Sequence, residues 1–203
     1  MGDGGTDAGE PGLTIEPLAD ELENVPASER VVIRGSRVVL RPYRPQDLDL
    51  WFDARTASAS DKTVSPRGGP DREVLRKRIA GSGVLHDGWL DLAIELDGRT
   101  VGEIGAYGEV PERQYPEGTF FFGIGLFDPA DRGKGLGTDA TRALCGWLFR
   151  EADALRIETA TAVTNAAMRG VFDRLGFHFD GVETRWDVEW ANYSVDRDAW
   201  PEG

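Results

Sequence analysis

Arg132-Gly133-Lys134-Gly135-Leu136-Gly137-Thr138 decides the reading of this chain. The apolar run Thr119-Phe120-Phe121-Phe122-Gly123-Ile124-Gly125-Leu126-Phe127 leads into it through Asp128-Pro129-Ala130-Asp131, and an amphipathic stretch leaves it. Glycine has no Cβ, so alternate glycines let backbone N–H groups come close to an anion. A helix starting near Thr138 adds the positive end of its dipole. A strand–glycine loop–helix unit of this kind suits a pyrophosphate. It is neither a Walker loop, which needs Gly-x4-Gly-Lys-Ser/Thr, nor a dinucleotide fingerprint, which needs Gly-x-Gly-x-x-Gly.

The elements around the loop alternate in type. Downstream, Ala140, Ala143, Leu144, Trp147 and Leu148 form a helical stripe, with Thr138 as its N-cap. Residues 155–163 alternate as a strand, and Thr164-Asn165 breaks it. Residues 166–175 read as a helix that turns Met168, Val171, Phe172 and Leu175 inward, with Gly176 at its C-terminal cap. Residues 177–179 begin another strand, and residues 184–195 form one or two more. Upstream, residues 31–43 carry a first strand or short hairpin. Arg44-Pro45-Gln46-Asp47 then opens a helix with Leu48, Trp51 and Phe52 on one face. Residues 65–70 are a loop, and residues 71–80 are a second helix that buries Val74, Leu75 and Ile79. Residues 89–96, Asp97-Gly98 and residues 99–107 read as a β-hairpin, followed by a loop over 109–118. Three antiparallel strands therefore precede the glycine loop.

Composition bounds the function. At 203 residues the chain is one domain with a tail, 40% hydrophobic and 29% charged. No apolar run is long enough to span a membrane and no signal peptide is evident, so a cytoplasmic protein is the simplest reading. The single cysteine, Cys145, excludes an internal disulfide framework, and with two scattered histidines no metal site is expected. The net charge is −13. Residues 1–30 hold eight acids and one base, and they read as an acidic flexible tail, with the folded domain over 31–203. This balance argues against nucleic-acid binding, which wants a basic face. It is compatible with a cationic substrate such as an amine.

Four stretches carry a family resemblance. Arg132-x-x-Gly135-x-Gly137 matches the Gln/Arg-x-x-Gly-x-Gly/Ala signature of the GNAT N-acetyltransferase superfamily. Within it the chain resembles the ribosomal-protein-alanine acetyltransferase type. The supporting stretches are Val38-Val39-Leu40-Arg41-Pro42 with Asp47-Leu48, Thr164-Asn165 with residues 172–177, and the closing run from Tyr193 to Trp200. The resemblance covers residues 31–200. It implies an α/β (α+β) GNAT fold: a mixed, mostly antiparallel central sheet with helices on both faces and a splayed parallel strand pair holding acetyl-CoA. No metal is implied.

Site residues follow from the same resemblance. Ile124, Gly125 and Leu126 are expected to pair with the pantetheine arm as an added strand would. Gly133, Lys134, Gly135, Leu136, Gly137 and Thr138 meet the pyrophosphate, and Arg132 and Lys134 add charge. Asn165 is expected at the pantetheine amide or as a turn cap, and Phe172 completes the cofactor-binding set. Three positions usually polar in the family are apolar here: Phe172 for the tyrosine, Met168 for the serine and Phe122 for the glutamate. The remaining candidate for a catalytic base is Glu103, with Glu183 and Asp187 as rivals. Tyr107 and Tyr115 contact the acceptor or pack, and Trp186 and Trp190 serve the core or a homodimer contact.

The expected function is acetyl transfer from acetyl-CoA to a primary amine, by direct attack in a ternary complex. The acceptor is a protein N-terminus or a small amine such as an aminoglycoside or polyamine. The three apolar positions motivate an alternative, a non-catalytic acyl-CoA-binding or regulatory module. A further alternative makes the acidic tail a docking segment for a basic partner.

Overall fold

The computed structural model describes Leu22, residues 24–61, Thr63, and residues 69–110 and 113–201. Most of the expected tail, residues 65–68 of the expected loop over 65–70 and part of the expected loop over 109–118 lie outside the described residues. The last residues of the expected tail are docked. Arg30 donates to the carbonyls of Leu22, Ala80 and Ser82 at 2.8, 2.8 and 2.6 Å.

Strands β1 (Ile33–Arg34) and β2 (Val39–Arg41) form a short hairpin. Helices α1 (Asp47–Ala57) and α2 (Arg72–Gly81) come next. Helix α2 starts as its sequence requires, with the Asp71 side chain accepting from the Glu73 and Val74 N–H groups. Val74, expected inside, is 44% exposed; Leu75 and Ile79 alone supply the buried face. Strands β3 (Leu90–Leu96) and β4 (Arg99–Tyr107) form the predicted hairpin. Its two-residue turn puts Asp97 and Gly98 at φ 50° and 79°, the left-handed pair a primed turn needs.

The stretch expected as a loop over 109–118 carries a two-stranded antiparallel ribbon, β5 (Glu109–Val110) and β6 (Arg113–Gln114). Strand β7 (Thr119–Leu126), helix α3 (Leu136–Glu151), strand β8 (Arg156–Ala162) and helix α4 (Ala166–Arg174) follow. Strands β9 (His178–Arg185) and β10 (Val188–Asp196) close the chain. Trp186, expected in a strand, instead sits with Asp187 in the turn between them, both at positive φ.

Eight strands make one sheet in the order β1-β2-β3-β4-β7-β8-β10-β9. Every neighbouring pair is antiparallel except β7 and β8. Alternation along the strands sends residues to opposite faces. One face packs on α3 and α4 and holds the main core, including Leu92, Ile94, Ile104, Phe122, Leu136, Leu144, Leu148, Ile157 and Phe172. The other face, under α1 and α2, holds a smaller core of Tyr43, Trp51, Leu75, Ile79 and Ala93. Trp51 is fully buried and stacks on Tyr43 at 4.2 Å with an interplanar angle of 6°.

A buried ionic network ties α1 to the sheet. Arg41 pairs with Asp47 at 2.8 Å and with Glu95 at 2.6 Å, and Thr100 donates to Asp47 at 2.7 Å. Each buried charge thus has a charged or hydrogen-bonded partner, as burial demands. Cys145 is buried in α3, and burial pushes its thiol up from its ordinary value. Among the described residues, no helix is long and apolar enough to cross a membrane.

Candidate active site

The site begins where the sheet forks. Strands β7 and β8 pair over three rungs only: Thr119 with Arg156, Phe120 with Ile157 and Phe121 with Glu158. Beyond them β7 pairs only with β4, while β8 continues against β10. At the apex the Thr159 hydroxyl donates to the Phe122 carbonyl at 3.0 Å. Successive residues of a strand point their backbone groups to opposite edges. Since the Phe122 carbonyl faces β8, the N–H and C=O of Ile124 face the same open edge, with no strand opposite them. The Leu126 carbonyl also faces it and accepts from Arg132 at 3.4 Å. Gly125 points its backbone the other way, to its partner Glu103 on β4.

The glycine loop lies at the end of this open edge. Gly133 and Gly135 sit at φ 72° and 81°, a region in which a side chain is strained. Helix α3 begins at Leu136, two residues before the expected start, and Gly135 rather than Thr138 is its N-cap. The left-handed turn at Gly135 brings the chain into the helix early and places Thr138 within the first turn. The first helical hydrogen bond runs from the Asp139 N–H to the Gly135 carbonyl at 3.0 Å. The N–H groups of Leu136, Gly137 and Thr138 therefore precede the helix ladder and stand at its positive end.

Charge around the loop is partly neutralised from within. Asp131, buried beneath it, takes both terminal nitrogens of Arg99 at 2.8 and 2.9 Å and lies 3.6 Å from Lys134 Nζ. The Arg99 hydrogen bonds hold the Asp131 carboxyl below the ordinary carboxylate range. Asp139, in the first turn of α3, accepts from the backbone N–H groups of Ser36, Arg37 and Val38. Burial alone would raise its carboxyl, but these three donors hold it low.

The opposite face of the fork, under α1 and α2, has a floor of glycines. Gly105, Gly123 and Gly125 lie side by side on β4 and β7. A Cβ at Gly125 would stand 3.5 Å from Glu103 Oε1, and one at Gly105 would stand 2.6 Å from the Tyr107 hydroxyl. Glu103 Oε2 is pinned from above by Trp51 Nε1 at 2.5 Å and by Arg55 Nη2 at 2.8 Å. Among the described residues Oε1 has no hydrogen-bond donor and faces the Gly125 floor. Arg78 forms a two-point pair with Asp91, at 2.6 and 2.9 Å, and lies over the Trp51 ring at 4.9 Å. The Tyr107 hydroxyl points at Asp91 from 3.5 Å. Tyr43 carries a buried hydroxyl with no partner, and burial, then the Glu103 and Asp91 charges, push its ionisation up.

The residues of α4 divide between surface and core. Asn165 caps the helix, its Oδ1 accepting from the Met168 N–H at 3.2 Å. Phe172 is buried in an aromatic cluster, edge-on to Phe122 at 6.1 Å and 5.0 Å from Tyr193. Met168 packs against the same core. The three apolar positions singled out in the sequence thus all pack in or against the main core.

The structure brings together Ile124, Leu126, Arg132 and the 133–138 loop along one open edge, and Glu103 and Tyr107 over the glycine floor. Glu183 lies on the outer strand β9, paired with Trp190. Sequence reasoning missed Thr159, Asp139, Trp51 and Arg55 as site residues. The one local signal available was the acid in the first turn of a helix that follows a glycine loop.

Comparison with known proteins agrees with this geometry. The family model described as an acetyltransferase (GNAT) domain matches residues 37–178. No curated protein matches the chain. Among solved structures, Mycobacterium smegmatis RimJ in complex with CoA-disulfide superposes with a TM-score of 0.67 at 21% identity, over 85% of this chain and 89% of its own. RimL, a ribosomal alpha-N-protein acetyltransferase in complex with coenzyme A, gives 0.67 at 18%, over 83% and 99%. AAC(6')-Ib in complex with ribostamycin and coenzyme A gives 0.65 at 22%, over 81% and 96%. Likeness at this identity concerns the fold. The family match spans most of the chain, and with the forked strands and the glycine loop it identifies the protein as a member of the GNAT acetyltransferase family, an acetyl-CoA-dependent N-acetyltransferase.

Proposed function

We propose that the protein moves an acetyl group from acetyl-CoA to a primary amine by direct attack within a ternary complex. The observation that carries this reading is the fork: β7 and β8 part at Phe122 and leave the Ile124 backbone unpaired, in line with the glycine loop. A pantetheine arm fits there as an added strand, with its amides on Ile124. The pyrophosphate meets the N–H groups of 133–138, and Arg132 and Lys134 supply charge. Asn165 spends its Oδ1 on the helix cap, so its Nδ2 is the group offered to the arm. Gly125 serves from the glycine floor, where its missing side chain leaves room beneath Glu103. Phe172 forms the wall behind the arm.

Chemistry follows from the same floor. An amine entering under α1 and α2 reaches the strands over Gly123 and Gly125. Glu103 Oε1 takes its proton, directly or through a water, while Oε2 stays fixed by Trp51 and Arg55. The neutral amine nitrogen attacks the thioester carbonyl carbon, the carbon–sulfur bond breaks, and the proton that the new amide nitrogen sheds passes through water to the departing coenzyme A thiolate. Phe122, Met168 and Phe172 offer no side-chain acid, so positioning supplies much of the rate. Buried Cys145 carries no acetyl intermediate.

The acceptor is a protein N-terminus or a small amine. Two structural neighbours, one a ribosomal alpha-N-protein acetyltransferase and the other solved with ribostamycin bound, support that range. We place the transferase domain at 31–203 and the acidic segment at 1–30 outside its chemistry. Calorimetric titration with acetyl-CoA, followed by thiol release against amines and N-terminal peptides, tests the reading. Binding with release is expected. Binding without release on any acceptor would favour an acyl-CoA-binding module, and absence of binding would overturn the donor site.

A further inference from the structure

We propose that Arg37, in the β1–β2 turn, is an additional phosphate-binding residue of the donor site, delivered there by Asp139. The proposal rests on the acetyl-CoA reading above, but Arg37 lies almost a hundred residues from the glycine loop and outside its signature.

Delivery is built into the fold. The Asp139 carboxylate accepts from the N–H groups of Ser36, Arg37 and Val38 at 3.0, 2.7 and 3.0 Å. The packing is close: a Cβ at Gly35 would stand 2.6 Å from Asp139 Oδ2. The turn is thereby fastened to the first turn of α3, where the helix N–H groups emerge. From it the Arg37 side chain reaches the loop itself. Its Nη1 donates to the Lys134 carbonyl, and the Cβ position of Gly135 lies 3.6 Å from the same atom.

Charge balance gives the contact a purpose. The loop's own lysine, Lys134, lies beside Asp131, which also pairs with Arg99, so the loop holds an anion of its own. Arg37 forms no ion pair among the described residues, and the Asp139 charge beside it is spent on backbone donors. A guanidinium has five N–H donors, and the Lys134 carbonyl occupies one nitrogen. The others can take phosphate oxygens in the two-point geometry to which the group is suited. In a chain of net charge −13, a polyanionic donor depends on such local cations.

The test uses the full chain, wild type and Arg37→Ala, titrated calorimetrically with acetyl-CoA, 3′-dephospho-acetyl-CoA and S-acetyl-pantetheine, which has no phosphate. R37A is expected to weaken acetyl-CoA about tenfold at low salt. The gap should narrow as salt rises, and S-acetyl-pantetheine should bind both proteins alike. A loss retained with the dephospho form places Arg37 at the pyrophosphate, and a loss that disappears places it at the 3′-phosphate; both support the proposal. Equal weakening for all three probes would make Arg37 a tether of the loop and overturn it, as would unchanged acetyl-CoA affinity. Arg37→Lys should recover part of the affinity at low salt. A wild-type protein that binds none of the probes would overturn the donor-site reading as well, a result separate from failure of the variant.

Discussion

The Thr159 hydroxyl is hydrogen-bonded to the Phe122 carbonyl at 3.0 Å, one residue beyond the last rung that joins β7 to β8. A side chain here takes over from the backbone ladder. It satisfies a buried carbonyl without continuing the pairing, so the strands part at a fixed point. Thr159→Val keeps the shape and removes the donor, leaving that carbonyl unsatisfied. A stability loss of about 1–2 kcal/mol is expected in urea unfolding. Acetyl-CoA affinity should fall with it if the arm binds at this apex, as proposed. An unchanged unfolding midpoint would show that water replaces the hydroxyl and that the apex needs no bolt.

Gly135 is the second fixed point. At φ 81° it caps α3 and turns the chain so that the helix N–H groups face the open edge. Gly135→Ala places a Cβ in the left-handed region at a cost of roughly 1–2 kcal/mol. Gly135→Asp adds a negative charge where phosphate is expected. Calorimetry should show weakened acetyl-CoA binding for the alanine variant and none for the aspartate variant. Retained affinity in G135D would mean that the donor does not use this loop.

The elements around these points were legible to different degrees. The β3–β4 hairpin could be read because its cause is local: Asp97-Gly98 meets the turn's demand for positive φ by itself. The forked pair was expected through the family resemblance, and the three-rung ladder fits it. The sequence points to a start of α3 at Thr138 because a threonine looks like a cap, whereas the left-handed glycine before it already ends the loop. Val74 was expected inside from its spacing, yet α2 needs only Leu75 and Ile79 against the sheet. The pinning of Glu103 by Trp51 and Arg55 spans 52 and 48 positions, and no local pattern announces such contacts.

That pinning makes Glu103 testable apart from folding. Glu103→Gln keeps an oxygen for Trp51 and Arg55 but cannot take a proton from the amine. The variant should fold, bind acetyl-CoA like the wild type and lose roughly 10²–10⁴-fold in kcat. The limb of the pH–rate profile that reports the free base should vanish with it. A kcat within a few-fold of wild type, with the limb intact, would remove Glu103 from the chemistry and direct attention to the Tyr107–Asp91 pair across the same floor.

Asp139 links pH to the integrity of the donor site. Three backbone donors hold its folded carboxyl below the ordinary range, whereas in the unfolded chain it titrates near 4. A carboxyl lowered by folding stabilises the fold above its unfolded pKa, and the contribution is lost as pH falls through the folded value. Asp139→Asn keeps one acceptor without the charge and should cost about 1–2 kcal/mol at neutral pH. The difference between wild type and D139N should begin to shrink as pH drops below about 4, where the unfolded chain's carboxyl takes up a proton, and should go on shrinking until the folded carboxyl is neutral as well. Paired urea titrations at neutral and acid pH read this directly. A difference independent of pH would show that the carboxylate's charge does not hold the β1–β2 turn to α3, and that shape alone does.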